Sequence, residues 1–321
     1  MAQDYSGCHA VWRYFGYSRI EGIMKRIALL GAKGQLGSDI HRALKENSQF
    51  EVITITREML NVENTEIIIP VLEKLGRIDV LINCTAFHNT EQCEADPLKA
   101  LVINSIAVLR MAAYCKQNKT LFIHFSTDYV FDGSKQAPYT EEDRVSPLNA
   151  YGSSKAAGEE AIAAYLDTYF IFRVSSLFGE AGASGKGGNF VETMIRLSKQ
   201  GKPISVVQDV IMSPTHTRDV AEMVRAFLEQ EITAYGVYHC SGEGACSWYE
   251  LAAETFAICG IACETTPILN SAYAAKVRRP LYSVLDNSKL NRIYPMKSWQ
   301  SALAQYLQLK GHVNISGGEK E

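Results

Sequence analysis

The chain reads as an α/β protein: a doubly wound parallel sheet with helices on both faces, followed by a smaller C-terminal lobe. Three observations carry that expectation. Short apolar runs of strand length alternate with stretches of helical spacing from residue 26 to residue 175. A glycine-rich turn, Gly31-Ala-Lys-Gly34-Gln-Leu-Gly37, joins the first run to the first helical stretch. After Ser176 the alternation lapses into a segment with five glycines between 179 and 188 and then into scattered short elements, as expected for a loop at the mouth of a site and a second lobe.

Taken in order, Arg26-Ile-Ala-Leu-Leu-Gly31 is a short apolar run after its arginine and ends on glycine, the pattern of a strand buried on both faces. Helical spacing over 36–47 follows, then a strand over 51–56 and a helix over 65–76. A strand over 78–84 leads to a long helix from about 97 to 117. Residues 121–126 form another buried strand, 151–167 a helix and 169–175 a strand. Such alternation implies right-handed crossovers between parallel neighbours. Beyond it, helices are expected over 190–200, 218–230, 247–259 and about 298–309, with strands over 204–207 and 236–240. We assign 24–175 plus about 211–238 to the sheet domain and about 176–210 plus 239–310 to the lobe, with 311–321 a frayed tail.

Composition narrows the class. The chain has 321 residues, 47% hydrophobic and 21% charged, with a net charge of −3 and a pI near 6.2. No basic field for nucleic acid is present, and no run of 18 apolar residues is seen that would span a membrane. The eight cysteines are scattered, with no CxxC pair. Cys259 and Cys263 share a helical spacing but have no further ligand nearby, so a metal site is not expected. Reduced thiols in a cytoplasmic protein are the plain reading. Residues 1–23 hold Trp12, Tyr14, Phe15 and Tyr17 without an apolar signal core, and Met24 opens the first strand as a natural start would. They read as an N-terminal extension with little defined structure.

Two segments carry chemistry. Thr127-Asp-Tyr-Val-Phe131 ends a strand, and Tyr151-Gly-Ser-Ser-Lys155 lies on a helix. Positions 151 and 155 share one helical face. An ammonium beside the phenol would lower its pKa, and the phenol would then pass a proton to an oxygen whose carbon receives a hydride. At the other end, Gly31, Gly34 and Gly37 stand between strand and helix. There glycines allow a sharp turn, close approach to a pyrophosphate and tight helix packing, while the helix start offers free N–H groups to phosphates. The second strand ends Thr56-Arg57 with no acid before Glu58. Arg57 suits a 2′-phosphate, or is a solvated arginine at a strand end. NADPH is expected ahead of NADH, which stays open.

Together these residues resemble the extended short-chain dehydrogenase/reductase superfamily, Rossmann-like in fold, and more narrowly the dTDP-4-dehydrorhamnose reductase family. The match runs over 25–309. It includes Ser126-Thr-Asp-Tyr-Val-Phe-Asp-Gly133, Ser146-Pro-Leu-Asn-Ala-Tyr-Gly-Ser-Ser-Lys155, Asn189-Phe190, Ser213-Pro-Thr215 with Arg218-Asp219-Val220, and Arg279-Pro-Leu-Tyr-Ser-Val-Leu-Asp286. The resemblance implies that Thr127 binds the substrate oxygen, Tyr151 donates the proton, and Lys155 partners it and holds the nicotinamide ribose. Gly34, Gln35 and Leu36 fall on pyrophosphate-loop positions. Ala86, Phe87 and His88 fall near the nicotinamide ribose, and Asn104 on the residue that props the proton relay, unless it merely caps a helix turn. Asp128 falls on a sugar contact. Asn189 and Arg279 fall near the nucleotide-sugar phosphates, Arg279 having a solvated loop cation as its alternative.

The chain departs from the family pattern in places. Ser176 stands where a tryptophan often packs on the sugar, and Glu91-Gln92 replace an Asp-Lys pair. Some relatives hold Mg2+ between subunits; Asp39 fits one such position, but Arg218 occupies another, so no metal is expected. The implied activity is NADPH-dependent reduction of a nucleotide-linked 4-keto-6-deoxysugar, with a homodimer left open. A dehydratase would need an acid where Tyr129 stands. An epimerase, or a non-catalytic NADP-binding subunit resembling the regulatory subunit of methionine adenosyltransferase, remain as alternatives.

Overall fold

The computed structural model describes residues 24–182, 188–273 and 277–313. The extension 1–23, part of the glycine-rich segment (183–187) and the tail 314–321 lie outside the described residues. The first half runs β1 (Lys25–Leu30), α1 (Gln35–Lys45), β2 (Phe50–Ile55), α2 (Ile68–Lys74), β3 (Val80–Asn83), α3 (Thr90–Ala95), α4 (Pro97–Leu101), α5 (Ala107–Asn118), β4 (Leu121–Thr127), α6 (Ala150–Tyr165) and β5 (Tyr169–Val174). The second half continues with β6 (Leu177–Phe178), α7 (Phe190–Ser198), β7 (Ile204–Val207), β8 (Ile211–Met212), β9 (Thr215–His216), α8 (Thr217–Glu229) and β10 (Gly236–His239). It closes with β11 (Cys246–Ser247), α9 (Trp248–Cys259), β12 (Thr265–Ile268), α10 (Ser288–Asn291) and α11 (Trp299–Leu309).

Six strands form one parallel sheet in the order β2-β1-β3-β4-β5-β10. Side chains alternate along β1. Ile27 and Leu29 enter the core beneath α1 and α8, while Ala28 and Leu30 enter the opposite core beneath α2, α5 and α6. Both faces are therefore covered, which is why the strand is apolar at every buried position from Ile27 to Leu30. The chain passes from β1 to β2 on one side and to β3 on the other, so the order reverses there. That reversal opens a crevice at the carboxyl ends of β1 and β3, the usual place for a ligand in such sheets.

Pro97–Asn118 form one continuous helix of 22 residues, made of α4, a π-turn over Val102–Ile106 and α5. By length and composition it is apolar enough to cross a membrane. The expectation that no stretch of the chain reaches that threshold is corrected here. Spanning composition does not require an unbroken apolar run, and Lys99 and Arg110 do not bring the helix below it. Half of it is buried, with Val108, Met111, Ala112 and Cys115 packed in the core against the sheet.

The lobe centres on α7, α9 and α11, whose Val191, Ile195, Leu251, Leu303 and Tyr306 share a core. Three two-stranded ladders, β6·β9, β7·β12 and β8·β11, tie it together. α8 packs on α1 beneath the sheet. Leu290 and Met296, within the stretch read as lobe, also join the core beneath the sheet.

Candidate active site

At the carboxyl end of β1 the chain turns through Gly31 at φ +78°. A Cβ there would sit 3.0 Å from the Cys84 carbonyl carbon, and one on Gly37 would sit 2.1 Å from the Gly31 oxygen. The turn and the first turn of α1 thus close on each other with no room for a side chain. Gly34 is the N-cap of α1 and gives it no side-chain cap, so its first N–H groups face outward as a phosphate cradle requires. Gln35 donates from Nε2 to the Leu177 carbonyl (3.1 Å), and its buried Oε1 has no partner. Leu36 is buried in the core, so only its backbone is available to a ligand. Arg57 and Lys33 are both exposed, and both lower the pKa of Glu58 after the larger effect of its bond with the Thr56 hydroxyl. Two cations therefore stand together at the end of β2, one of them, Lys33, not singled out from the sequence. These residues fit a dinucleotide carrying a 2′-phosphate.

Beyond β3, Ala86, Phe87 and His88 are half-buried. Asn104 pins their loop: its Oδ1 accepts from the Phe87 N–H (2.8 Å) and its Nδ2 donates to the Phe87 carbonyl (2.9 Å). The same Nδ2 donates to the Ser154 hydroxyl (3.0 Å), one residue before Lys155. Asn104 lies in the π-turn, a local widening that recurs at functional sites. Gly158 accommodates it, since a Cβ there would come within 2.3 Å of the Asn104 carbonyl.

Thr127 closes β4 and Tyr151 opens α6, whose N-cap Asn149 accepts from the Gly152 N–H (2.8 Å). The Thr127 hydroxyl faces the Tyr151 phenol closely enough to lower its pKa, and it donates to Asp128 Oδ1 (3.0 Å). The Tyr129 ring meets the Tyr151 ring edge-on at 6.0 Å. Burial raises the Tyr151 pKa and outweighs the lowering effect of the Thr127 hydroxyl, with Asp128 adding to the rise. The phenol is therefore held protonated. This corrects the expectation that Lys155 lowers it. Lys155 is buried, and its Nζ bonds the Phe125 carbonyl (2.6 Å) and His124 Nε2 (2.9 Å). A shared helical face brings the two residues together, but the long lysine side chain reaches beneath β4. Burial lowers the Lys155 pKa to about 8.

Asp128 is buried and accepts three hydroxyls: Thr127 on Oδ1, and Ser175 (2.9 Å) and Ser283 (2.6 Å) on Oδ2. It anchors Thr127, with little left over for a sugar. Asn189, expected near the phosphates, is the N-cap of α7. Its Oδ1 accepts from the Glu192 N–H (3.0 Å), and its Nδ2 donates to the Gly179 carbonyl and the Tyr306 hydroxyl. With both ends of the amide engaged, its place in this fold is structural. Arg279 is half-buried, acts on Tyr129 electrostatically and has a buried Nε without a partner, as a cation awaiting an anion would. Ser176 adopts φ +44°, unusual for a residue with a side chain, beside the site. Asp39 is occupied by Thr217 and Arg42, and no group of three or more metal-ligating side chains occurs among the described residues.

Comparison with known proteins places this geometry. Residues 24–311 match the model of the RmlD substrate binding domain. The chain is 36% identical over 289 residues to the spore coat polysaccharide biosynthesis protein SpsK of Bacillus subtilis, covering 89% of this chain and 98% of that one. It is 33% identical to a dTDP-4-dehydrorhamnose reductase of Aggregatibacter actinomycetemcomitans, covering 87% and 97%. The chain belongs to the dTDP-4-dehydrorhamnose reductase family. Among solved members, the Bacillus anthracis enzyme in complex with NADP superposes with a TM-score of 0.83 at 32% identity, covering 89% of this chain and 99% of that one. Membership of the family accounts for the order in which Thr127, Tyr151 and Lys155 occur. It does not by itself explain Asn83, His124, Ser175 and Ser283, which the structure adds around them. Of these four only Ser283 sits in a motif read from the sequence, and their partners lie between 31 and 155 residues away.

Proposed function

We propose that this chain reduces the ketone of a nucleotide-linked 4-keto-6-deoxysugar with NADPH, in the building of a deoxysugar for a surface polysaccharide or glycosylated product. The observation that carries this reading is the Thr127 and Tyr151 hydroxyls facing each other at the carboxyl end of the sheet, with the phenol held protonated by burial. Gly31, Gly34, Gln35, Leu36 and Gly37 would hold the pyrophosphate, and Lys33 and Arg57 the 2′-phosphate. Ala86, Phe87, His88 and Asn104 would line the nicotinamide ribose. Bound there, NADPH supplies the hydride. Thr127 would turn its one hydroxyl proton from Asp128 Oδ1 to the substrate oxygen as negative charge grows there, a positioned interaction typically worth about 10²–10³ in rate. Tyr151 delivers the proton to that same oxygen. Lys155 keeps positive charge available beneath both, and Arg279 answers the charge of the sugar-nucleotide phosphates. The relatives' names support the substrate class, and the NADP-bound relative supports the cofactor.

The test is to incubate the purified chain with NADPH and a panel of dTDP-4-keto-6-deoxysugars. One NADPH oxidised per ketone reduced is expected. Conversion without net NADPH loss would make the chain an epimerase, and tight NADPH binding without turnover on any member would make it a binding subunit.

A further inference from the structure

Lys155 Nζ ends a buried chain of hydrogen bonds that the reaction outlined above does not use. Asn83, His124 and Lys155 are all at most 1% exposed. Asn83 Nδ2 meets His124 Nδ1 at 3.2 Å, and His124 Nε2 meets Lys155 Nζ at 2.9 Å. The orientation of the Asn83 amide is not free. Its oxygen accepts the Thr85 backbone N–H (3.0 Å) and the Thr85 hydroxyl (2.6 Å), and a backbone N–H can only donate. The amide nitrogen must therefore face His124 and donate to Nδ1. A neutral imidazole with Nδ1 as acceptor carries its proton on Nε2, and that proton points at Lys155. An amine can accept it; an ammonium cannot. When Lys155 is an ammonium, Nε2 has to become the acceptor and the ring proton moves to Nδ1, where it meets the Asn83 N–H donor to donor.

We propose that Asn83 and His124 are positioning residues that set the proton affinity of Lys155, because protonating Lys155 forces His124 to change tautomer and lose its bond to Asn83. The chain stops at Asn83, whose oxygen is filled by Thr85, so it tunes Lys155 rather than conducting a proton to solvent. Other charges around the pair are few. Lys155 faces Cys84 beyond β3 and Glu159 on its own helix, and both raise its pKa. Glu159 is already paired with Arg173 of β5 (2.7 Å). Burial is the larger effect on both partners: it lowers the Lys155 pKa, and it lowers that of His124 with Lys155 adding to the drop. The imidazole therefore stays neutral, and tautomer exchange is the response left to it.

This inference gives Lys155 the role assigned under the proposed function, yet its first test needs no turnover. Imidazole 15N shifts of the cofactor-free protein, with His124 assigned by its loss in His124→Gln, are followed from pH 6 to pH 10. A neutral ring is expected throughout, protonated on Nδ1 at low pH and on Nε2 at high pH, with its midpoint at the titration of Lys155. A single tautomer across the range, or an imidazolium at the low end, overturns the proposal. The second test is Asn83→Asp, which keeps an oxygen for Thr85 and offers the other to an Nδ1–H. The ammonium form then loses nothing, and the alkaline limb of the kcat/KM profile should move up by about one to two pH units, the size expected when one buried donor regains an acceptor. An unmoved or lowered limb in a folded variant overturns it.

Discussion

Tyr151 and Lys155 divide the work of one helical face in a way their spacing alone conceals. The phenol is kept protonated by burial and faces Thr127, so Tyr151→Phe should lower kcat by at least about 10², as loss of a general acid does, with NADPH affinity unchanged. A variant with near-normal kcat would remove Tyr151 from the mechanism. Lys155 has its pKa lowered from 10.5 to about 8 by burial. Below pH 8 it is an ammonium both folded and unfolded. Between about 8 and 10.5 only the unfolded chain keeps the proton, so stability conferred by this residue rises with pH across that window. Denaturant titrations of the native chain against Lys155→Met should show a stability difference that is flat below pH 8 and grows in favour of the native chain above it. A difference that shrinks there would contradict the burial argument.

Elements decide what a linear reading can reach. The strands of the sheet were legible because burial on two faces leaves mostly apolar runs, as in Ile27–Leu30 of β1 and Leu121–Ile123 of β4. The glycine turn was legible because Gly31 and Gly37 mark a close approach that other residues cannot make. β6, β8, β9 and β11 were not, since two-residue strands have no period to detect. The role of Asn189 had a signal that went unused: an asparagine three residues before Glu192 marks a helix start, and the structure makes it that cap. The π-turn at Asn104 left no trace in composition, and neither did the reach of Lys155 beneath β4, because both are decided by packing. Gly158 makes the π-turn testable. In Gly158→Ala the new methyl meets the Asn104 carbonyl at 2.3 Å, and such overpacking should cost about 2 kcal/mol. The melting temperature should drop by several degrees, and kcat should fall with it as the Phe87 loop loses its anchor. An unchanged melting temperature would show that the helices separate without cost.

At the scale of the whole molecule, the parallel sheet opens a crevice at the carboxyl ends of β1 and β3, and the segment with Arg278 and Ser283 meets Asn149 and Asp128 beside Thr127 and Tyr151. Under the proposed function, selectivity for the dinucleotide would be set far from the chemistry, where Lys33 and Arg57 flank Glu58. Replacing both cations by serine should reduce the preference for NADPH over NADH by about 10², since charge-assisted bonds of this kind contribute about 1.5–3 kcal/mol each. The ratio of kcat/KM values for the two cofactors measures it, and an unaltered ratio would return both side chains to the solvent. The seam between domain and lobe is closer to the reacting atoms. Asn149, which starts the active-site helix, donates to the Arg278 carbonyl (2.9 Å), and Ser283 donates to the carboxylate that holds Thr127. A sugar nucleotide that levered the lobe apart along this line would unfasten the alcohol meant to greet it. Under the proposed function, the grip of this margin and the poise of Thr127 are therefore coupled through one carboxylate, Asp128.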